Sequence, residues 1–382
     1  MGYLINGEVN PNDVILGYWT GAFTSGSGLW GTMAVNAGSG VTSSYLKGDD
    51  PLKGGAMSGA ASGIGYSAGK LLQGPLDILV NGYTVDLLVT KSSSEAVKYT
   101  PYVRHIYEAG DCNNEVFLKK FSHTVAESTI KKLNQNNYDL VIDLCLFDIP
   151  VHRMMLFRDI SAKSVLGFNK WGCINHYSKS IPFENGKEHV TNAISLVAKN
   201  MDLDIYNRHS YDLHIPDAIA FEVRNYLSAW EGKIKVVINA FTGSPERNLS
   251  REQLTQTIEM LNENSNNIVI IILDHKKELD VPLPCNVLIN PFNSLHHVME
   301  LIKNVDLVIS PDTSIVHISA AWKKPLISVY KNVTDNNDLW APGYKEAIQI
   351  IVNKRKISDV RNVPEIILQE TEKMGVLKNG TA

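Results

Sequence analysis

A chain of 382 residues with 44% apolar side chains is long enough for two or three domains with substantial cores. A formal charge of −4 and a pI near 6.3 leave no basic field on the scale that nucleic-acid binding needs. Four cysteines, Cys112, Cys145, Cys173 and Cys285, lie far apart without CxxC spacing, which argues against a disulfide framework or a zinc site. They read as buried free thiols in a reducing compartment, Cys145 and Cys285 in apolar surroundings. The N-terminus lacks a basic stretch followed by an apolar core, so no cleavable signal peptide is expected.

Residues 1–82 form an extension crowded with Gly, Ala and Ser, holding two thirds of the 27 glycines. Residues 14–46 carry no charge, a polar turn follows at 47–53, and a second uncharged stretch covers 54–69. Small residues recur at spacing four, as in Gly55, Gly59 and Gly63, which sets them on one helical face. Two readings stay open: close helix packing of the kind membrane pairs use, or a loosely helical soluble segment in which each glycine costs about 1 kcal/mol. Glycine and small residues pack weakly in a central strand, so the extension is not expected to complete a sheet.

From residue 83 strands alternate with helices. Residues 85–89 read as a strand, 92–98 as a short helix, and 103–107 as a strand. Residues 117–134 have helical apolar spacing, and 140–146 form a buried-type run. Short pieces at 153–155 and 164–167 continue the pattern before an amphipathic helix at 189–203. The second half repeats the theme: strands at 236–240, 268–273, 287–289 and 307–309, with helices at 251–262 and 295–303. The expected architecture is right-handed βαβ units in two parallel sheets, spanning residues 83–232 and 233–360, with a helix and tail at 361–382.

The most informative segment is Ile309-Ser310-Pro311-Asp312-Thr313-Ser314-Ile315-Val316-His317, closed by Lys324-Pro325-Leu326-Ile327. A strand, a tight turn and a helix start aim backbone N–H groups and a positive helix end at an anion. This segment resembles the nucleotide-sugar motif of glycosyltransferase family 9, the lipopolysaccharide heptosyltransferases. Residues 238–250, with Thr242-Gly243-Ser244-Pro245-Glu246-Arg247, are similar to that family's second-half strand and phosphate loop. The resemblance runs from about residue 85 to 360 and implies a GT-B fold: two Rossmann-like domains flanking a cleft, the first of them truncated here.

A second likeness concerns the extension. Asn12-Asp13-Val14, Gly17-Tyr18-Trp19-Thr20, Tyr45-Leu46-Lys47-Gly48-Asp49 and Gly69-Lys70-Leu71-Leu72 resemble the region at the start of the toxic part of contact-dependent inhibition exoproteins. That likeness implies a fusion: a delivery fragment joined to a degenerate transferase, or a transferase delivered as an effector. The chain would then be secreted or delivered rather than cytoplasmic at the inner face of the inner membrane.

The family resemblance implies sugar transfer from a nucleotide-diphosphate donor to a lipopolysaccharide core or other glycan acceptor, with no metal, no nucleic acid, and at most peripheral membrane contact. Thr242 and Gly243 would supply a hydroxyl and an open amide, and Arg247 a cation for phosphate. Asp312, Thr313 and Ser314 would hold the same diphosphate, His317 would face it, and Asp274 would lie near the nucleoside. Taken singly each has a plainer reading: Asp312 or Thr313 as a helix cap, His317 as a core histidine, Arg247 as a surface cation, Thr242-Gly243 as a turn. His296-His297 lacks a third ligand at useful spacing for a metal. The family's opening strand, loop and following Asp, the base for the acceptor, have no match in this chain. Asp143 and Asp148 are the carboxylates nearest the expected cleft, as base or as structural groups.

Overall fold

The computed structural model describes residues 84–101, 103–109, 125–144, 146, 156–170, 177–184, 187–201, 211–274, 277, 279, 283–333 and 336–378. The extension, Asp148, Cys112, Cys145, Cys173 and the pieces expected at 117–124 and 153–155 lie outside these residues. Cys285 departs from expectation: it is exposed, because it sits in the turn before a short edge strand rather than in the core.

In the first half, β1 (Val85–Thr90) and β2 (Val103–Ala109) pair in parallel across α1 (Lys91–Val97). Helix α2 (Glu127–Asn134) leads into β3 (Tyr138–Ile142), which pairs in parallel with β4 (Ala162–Phe168), and β4 with β5 (Lys179–Ile181). Helix α3 (Asn192–Asn200) follows. Strand alternation divides the apolar side chains between two layers. Leu87 and Val89 enter a cluster with Leu166, Phe168, Ile194 and Val197, while Leu88 packs with Ile130, Leu133 and Leu156. Strand β3 feeds the same layers, Leu140 and Ile142 the first and Tyr138 the second. The two sheets thus share one sandwich, yet among the described residues no strand joins β1 to β3. Asp86 ties them, accepting from Tyr138 Oη at 2.7 Å and from Arg104 Nε at 2.9 Å.

The second half holds a six-stranded parallel sheet: β6 (Ile234–Ile238), β7 (Ile268–Ile272), β8 (Val287–Ile289), β9 (Leu307–Pro311), β10 (Leu326–Lys331) and β11 (Ala347–Val352). The spatial order β8-β7-β6-β9-β10-β11 is 3-2-1-4-5-6 when counted from β6. Helices cover both faces: α4 (Asp217–Ser228), α5 (Arg251–Asn264), α6 (Leu295–Lys303), α7 (Ser314–Ala321) and α9 (Val363–Met374), with the short α8 (Asn336–Leu339) between β10 and β11. That is why the central strands are apolar without interruption, as in Ile268-Val269-Ile270-Ile271-Ile272. Ile268, Ile270 and Ile272 meet the layer that includes Leu254, Ile258, Val363 and Ile367, whereas Ile271 meets Met299, Leu301 and Ile302. Each such side chain contributes roughly 1.5–3 kcal/mol of burial.

In the first half the described strands form two sheets, ordered β1-β2 and β3-β4-β5. Contacts link the halves at two places. Leu295 N donates to Glu95 Oε1 at 2.7 Å, and Val190 N donates to Leu339 O at 3.0 Å beside Trp340, which is buried in the first half's core.

Candidate active site

In a sheet ordered 3-2-1-4-5-6 the crevice opens where the chain reverses direction, at the carboxyl ends of strands 1 and 4. Those are β6 and β9, which run directly side by side, Ile238 opposite Ile309. The residue after β6, Asn239, donates from Nδ2 to Ser310 Oγ at 3.0 Å and to Thr313 Oγ1 at 3.2 Å, clamping the two loops together. Thr313 is the N-cap of α7, its hydroxyl accepting from Ile315 N at 3.2 Å. The loop after β6 closes on itself through Leu249 N to Ala240 O at 3.0 Å and Thr242 N to Asn248 Oδ1 at 2.7 Å. A capping box at Ser250 and Gln253 then starts α5.

Arg247 crosses from this loop to the other. Its guanidinium donates to Asp312 Oδ2 at 2.9 Å and to Asp312 O at 3.0 Å, and its Nε is buried without a hydrogen-bond partner. Next to it, Glu246 accepts from Lys331 Nζ at 2.7 Å. These two pairs cancel their own charges, so the attraction for an anion rests on the donors Arg247 has left and on the α7 start. His317, one turn into α7 and fully buried, meets Tyr211 Oη through Nδ1 at 2.8 Å, with Trp340 edge-on at 5.9 Å.

The structure therefore brings Arg247, Asp312, Thr313 and Ser314 together at the β6/β9 ends, with His317 fully buried one turn into α7. Thr242 plays a different part from the one expected: buried, its hydroxyl donates to Ser244 O at 2.7 Å and accepts from Ser244 N at 2.9 Å, and its amide is held by Asn248. It shapes the loop and leaves exposed Gly243 at its tip. Asp274 stands at the carboxyl end of β7, one strand away, where it accepts from Leu279 N at 2.9 Å and fixes its own turn. Asp143 follows β3 in the other half, buried, and accepts from Tyr177 Oη at 2.7 Å. The Tyr177 ring reaches it by lying on Gly167, where an added Cβ would meet the ring at 2.5 Å. Spacing alone did not reveal Asn239, Asn248, Tyr211, Tyr177 or Trp340. Among the described residues no three His, Cys, Asp or Glu side chains stand together as metal ligands.

Two halves built on parallel sheets, with the chain reversing at the β6/β9 switch point of the second, define a GT-B-like fold. The sequence model of glycosyltransferase family 9 (heptosyltransferase) matches residues 127–365, more than half of the chain, and the chain belongs to that family. The protein named Putative lipopolysaccharide heptosyltransferase 4 of Escherichia coli (strain K12) is 25% identical over 236 residues, 60% of this chain. The chain spans 65% of that relative's length. Among solved structures, a family 9 glycosyl transferase from Veillonella parvula superposes with a TM-score of 0.64 at 12% identity, covering 81% of this chain and 94% of that one. The ADP-heptose LPS heptosyltransferase II of E. coli gives 0.60 at 12% identity over 83% and 97%. The E. coli heptosyltransferase WaaC with ADP gives 0.57 at 17% identity over 81% and 95%. These likenesses support the fold. The resemblance of the extension to contact-dependent inhibition exoproteins finds no support in the comparisons.

Proposed function

We propose that the chain transfers a heptose from a nucleotide-diphosphate donor to a lipopolysaccharide-core acceptor. The observation that carries this reading is the convergence of Arg247, the Asp312 to Ser314 turn and His317 at the β6/β9 switch point, in a chain of the heptosyltransferase family. Relatives of the same fold were solved with ADP and with ADP-2-deoxy-2-fluoro heptose. In the reaction the acceptor hydroxyl oxygen bonds to the anomeric carbon as the bond to the diphosphate breaks. The hydroxyl proton passes to a carboxylate, and the new charge on the leaving phosphate is met by Arg247 and the α7 amides.

Asp143 is the carboxylate we assign to that proton in this chain, with Tyr177 orienting it. The family resemblance implies a base on an opening loop that the sequence does not match, and slow turnover is therefore expected. No helix among the described residues is long and apolar enough to cross a membrane, and we place the reaction at the cytoplasmic face, where the lipid-linked acceptor is met by peripheral contact. The test is calorimetric titration with ADP, then transfer from ADP-heptose to truncated core. Micromolar ADP binding with slow transfer that Asp143→Asn lowers a further hundredfold or more is expected. No binding of ADP or of other nucleoside diphosphates would refute the donor site. Transfer untouched by Asp143→Asn would remove Asp143.

A further inference from the structure

Tyr211 stands on the segment entering the second half, 106 residues before His317 in sequence, and both side chains are buried. Among the described residues its phenol oxygen has one hydrogen-bond partner, His317 Nδ1, at 2.8 Å. Burial pushes the phenol's pKa up, so it keeps its proton. A buried O–H that donates to nothing costs on the order of 1–3 kcal/mol. Among the described residues the hydrogen-bond partner of the phenol is Nδ1, so it avoids that cost by donating to Nδ1. Donation requires a lone pair on Nδ1, which excludes both the Nδ1–H tautomer and the doubly protonated ring.

The geometry points to Tyr211 as a positioning residue that holds His317 with its proton on Nε2. The consequence for the crevice rests on the diphosphate reading above. Nε2 is buried in this structure; where a diphosphate oxygen is brought up to it, a lone pair there repels the oxygen, whereas an Nε2–H donates to it from a neutral ring. His317 follows the Thr313 cap by four residues, so its ring lies one turn below the helix start that faces the anion. The aromatic packing fixes the ring plane as well: Tyr211 lies 5.1 Å and Trp340 5.9 Å from the imidazole, centre to centre. Tautomer and orientation are thus both set before any ligand arrives, which spares the ordering cost on binding.

The experiment is nitrogen-15 NMR of the full-length protein labelled at histidine. The chain has 11 histidines, and a His317→Asn spectrum picks out the signals of His317 by difference. The expected result is an unprotonated Nδ1 and a protonated Nε2 near neutral pH. In Tyr211→Phe, which removes only the hydroxyl, a mixture of tautomers appears and ADP affinity falls roughly five- to tenfold. A proton on Nδ1 in the unsubstituted protein overturns the proposal, and so does a Tyr211→Phe protein with unchanged His317 signals. The readings are separable: the expected tautomer in a protein that does not bind ADP upholds the positioning role and rejects the diphosphate site. ADP binding with the opposite tautomer does the reverse.

Discussion

Arg247→Ala removes at one stroke a cation from the crevice and the charge partner of Asp312. The side chains are 17% and 11% exposed, so the pair is mostly withdrawn from water without being deep in the core. Losing the charge-assisted hydrogen bond to a partly buried carboxylate costs roughly 1.5–3 kcal/mol, below the 3–5 kcal/mol of a fully buried broken pair. At about 2–4 °C per kcal/mol for a domain of this size, the melting temperature should fall by about 3–12 °C. A lost phosphate contact of the same strength weakens ADP binding about 10- to 150-fold.

The two effects separate in the double variant Arg247→Ala/Asp312→Asn. Neutralising Asp312 removes the partly buried charge that faced Arg247, so calorimetry should show part of the melting temperature restored. Titration should show ADP affinity still low, because the phosphate has lost its cation. If the double variant regains unsubstituted affinity together with stability, Arg247 acts only by pairing with Asp312, and the donor-site assignment fails.

Asp86 makes the first half sensitive to acid. Burial pushes its pKa up, but the hydrogen bonds from Arg104 and Tyr138 outweigh this and hold it below the ordinary carboxylate value. A depressed folded-state pKa gives stability that is present above about pH 3.9 and is lost as pH falls through the lower folded value. Urea unfolding should therefore show Asp86→Asn less stable at pH 7, with the gap from the unsubstituted protein closing below pH 4; a constant gap would refute it. Ser250→Ala removes the α5 capping box and should cost roughly 0.5–2 kcal/mol, mostly recovered by Ser250→Thr; equal loss in both variants would mean the hydroxyl is not the cause. Deleting residues 1–82 should leave a protein that melts cooperatively and binds ADP, since every hydrogen bond described for the crevice lies within residues 211–341; loss of either property would make the extension part of the fold.

The second half was legible because its signals are local. Uninterrupted apolar strands bounded by turn residues, the Ser250-x-x-Gln253 start and the Asp312 to His317 spacing each act over a few residues, and helices expected at 251–262 and 295–303 form at Arg251–Asn264 and Leu295–Lys303. Edge elements were harder. Strand β11 has one neighbour and buries only Val352, and exposed Phe221 blurs the apolar stripe of α4 formed by Ala220, Val223 and Leu227. The pairings that build the site were not legible at all. Arg247 to Asp312 spans 65 residues, Asn239 to Thr313 spans 74, and Tyr211 to His317 spans 106. Such contacts arise only when parallel strands bring their carboxyl ends into line, which spacing along the chain does not encode. Thr242 shows the converse: its motif position suggested a ligand, but its hydroxyl is used within its own turn.

The two halves differ in how the described strands are joined. In the second, all six strands are present, so the switch point and the loops after β6 and β9 are held by a continuous hydrogen-bonded sheet. In the first, among the described residues no strand joins β1 to β3, and side chains such as Asp86 and Tyr138 connect them. In the proposed reading, donor binding draws on the second half. Transfer needs both, because the leaving group is stabilised from one side and the acceptor deprotonated from the other. Under the proposed function, titration with a nucleoside diphosphate tests the second half, whereas a transfer assay tests both halves together.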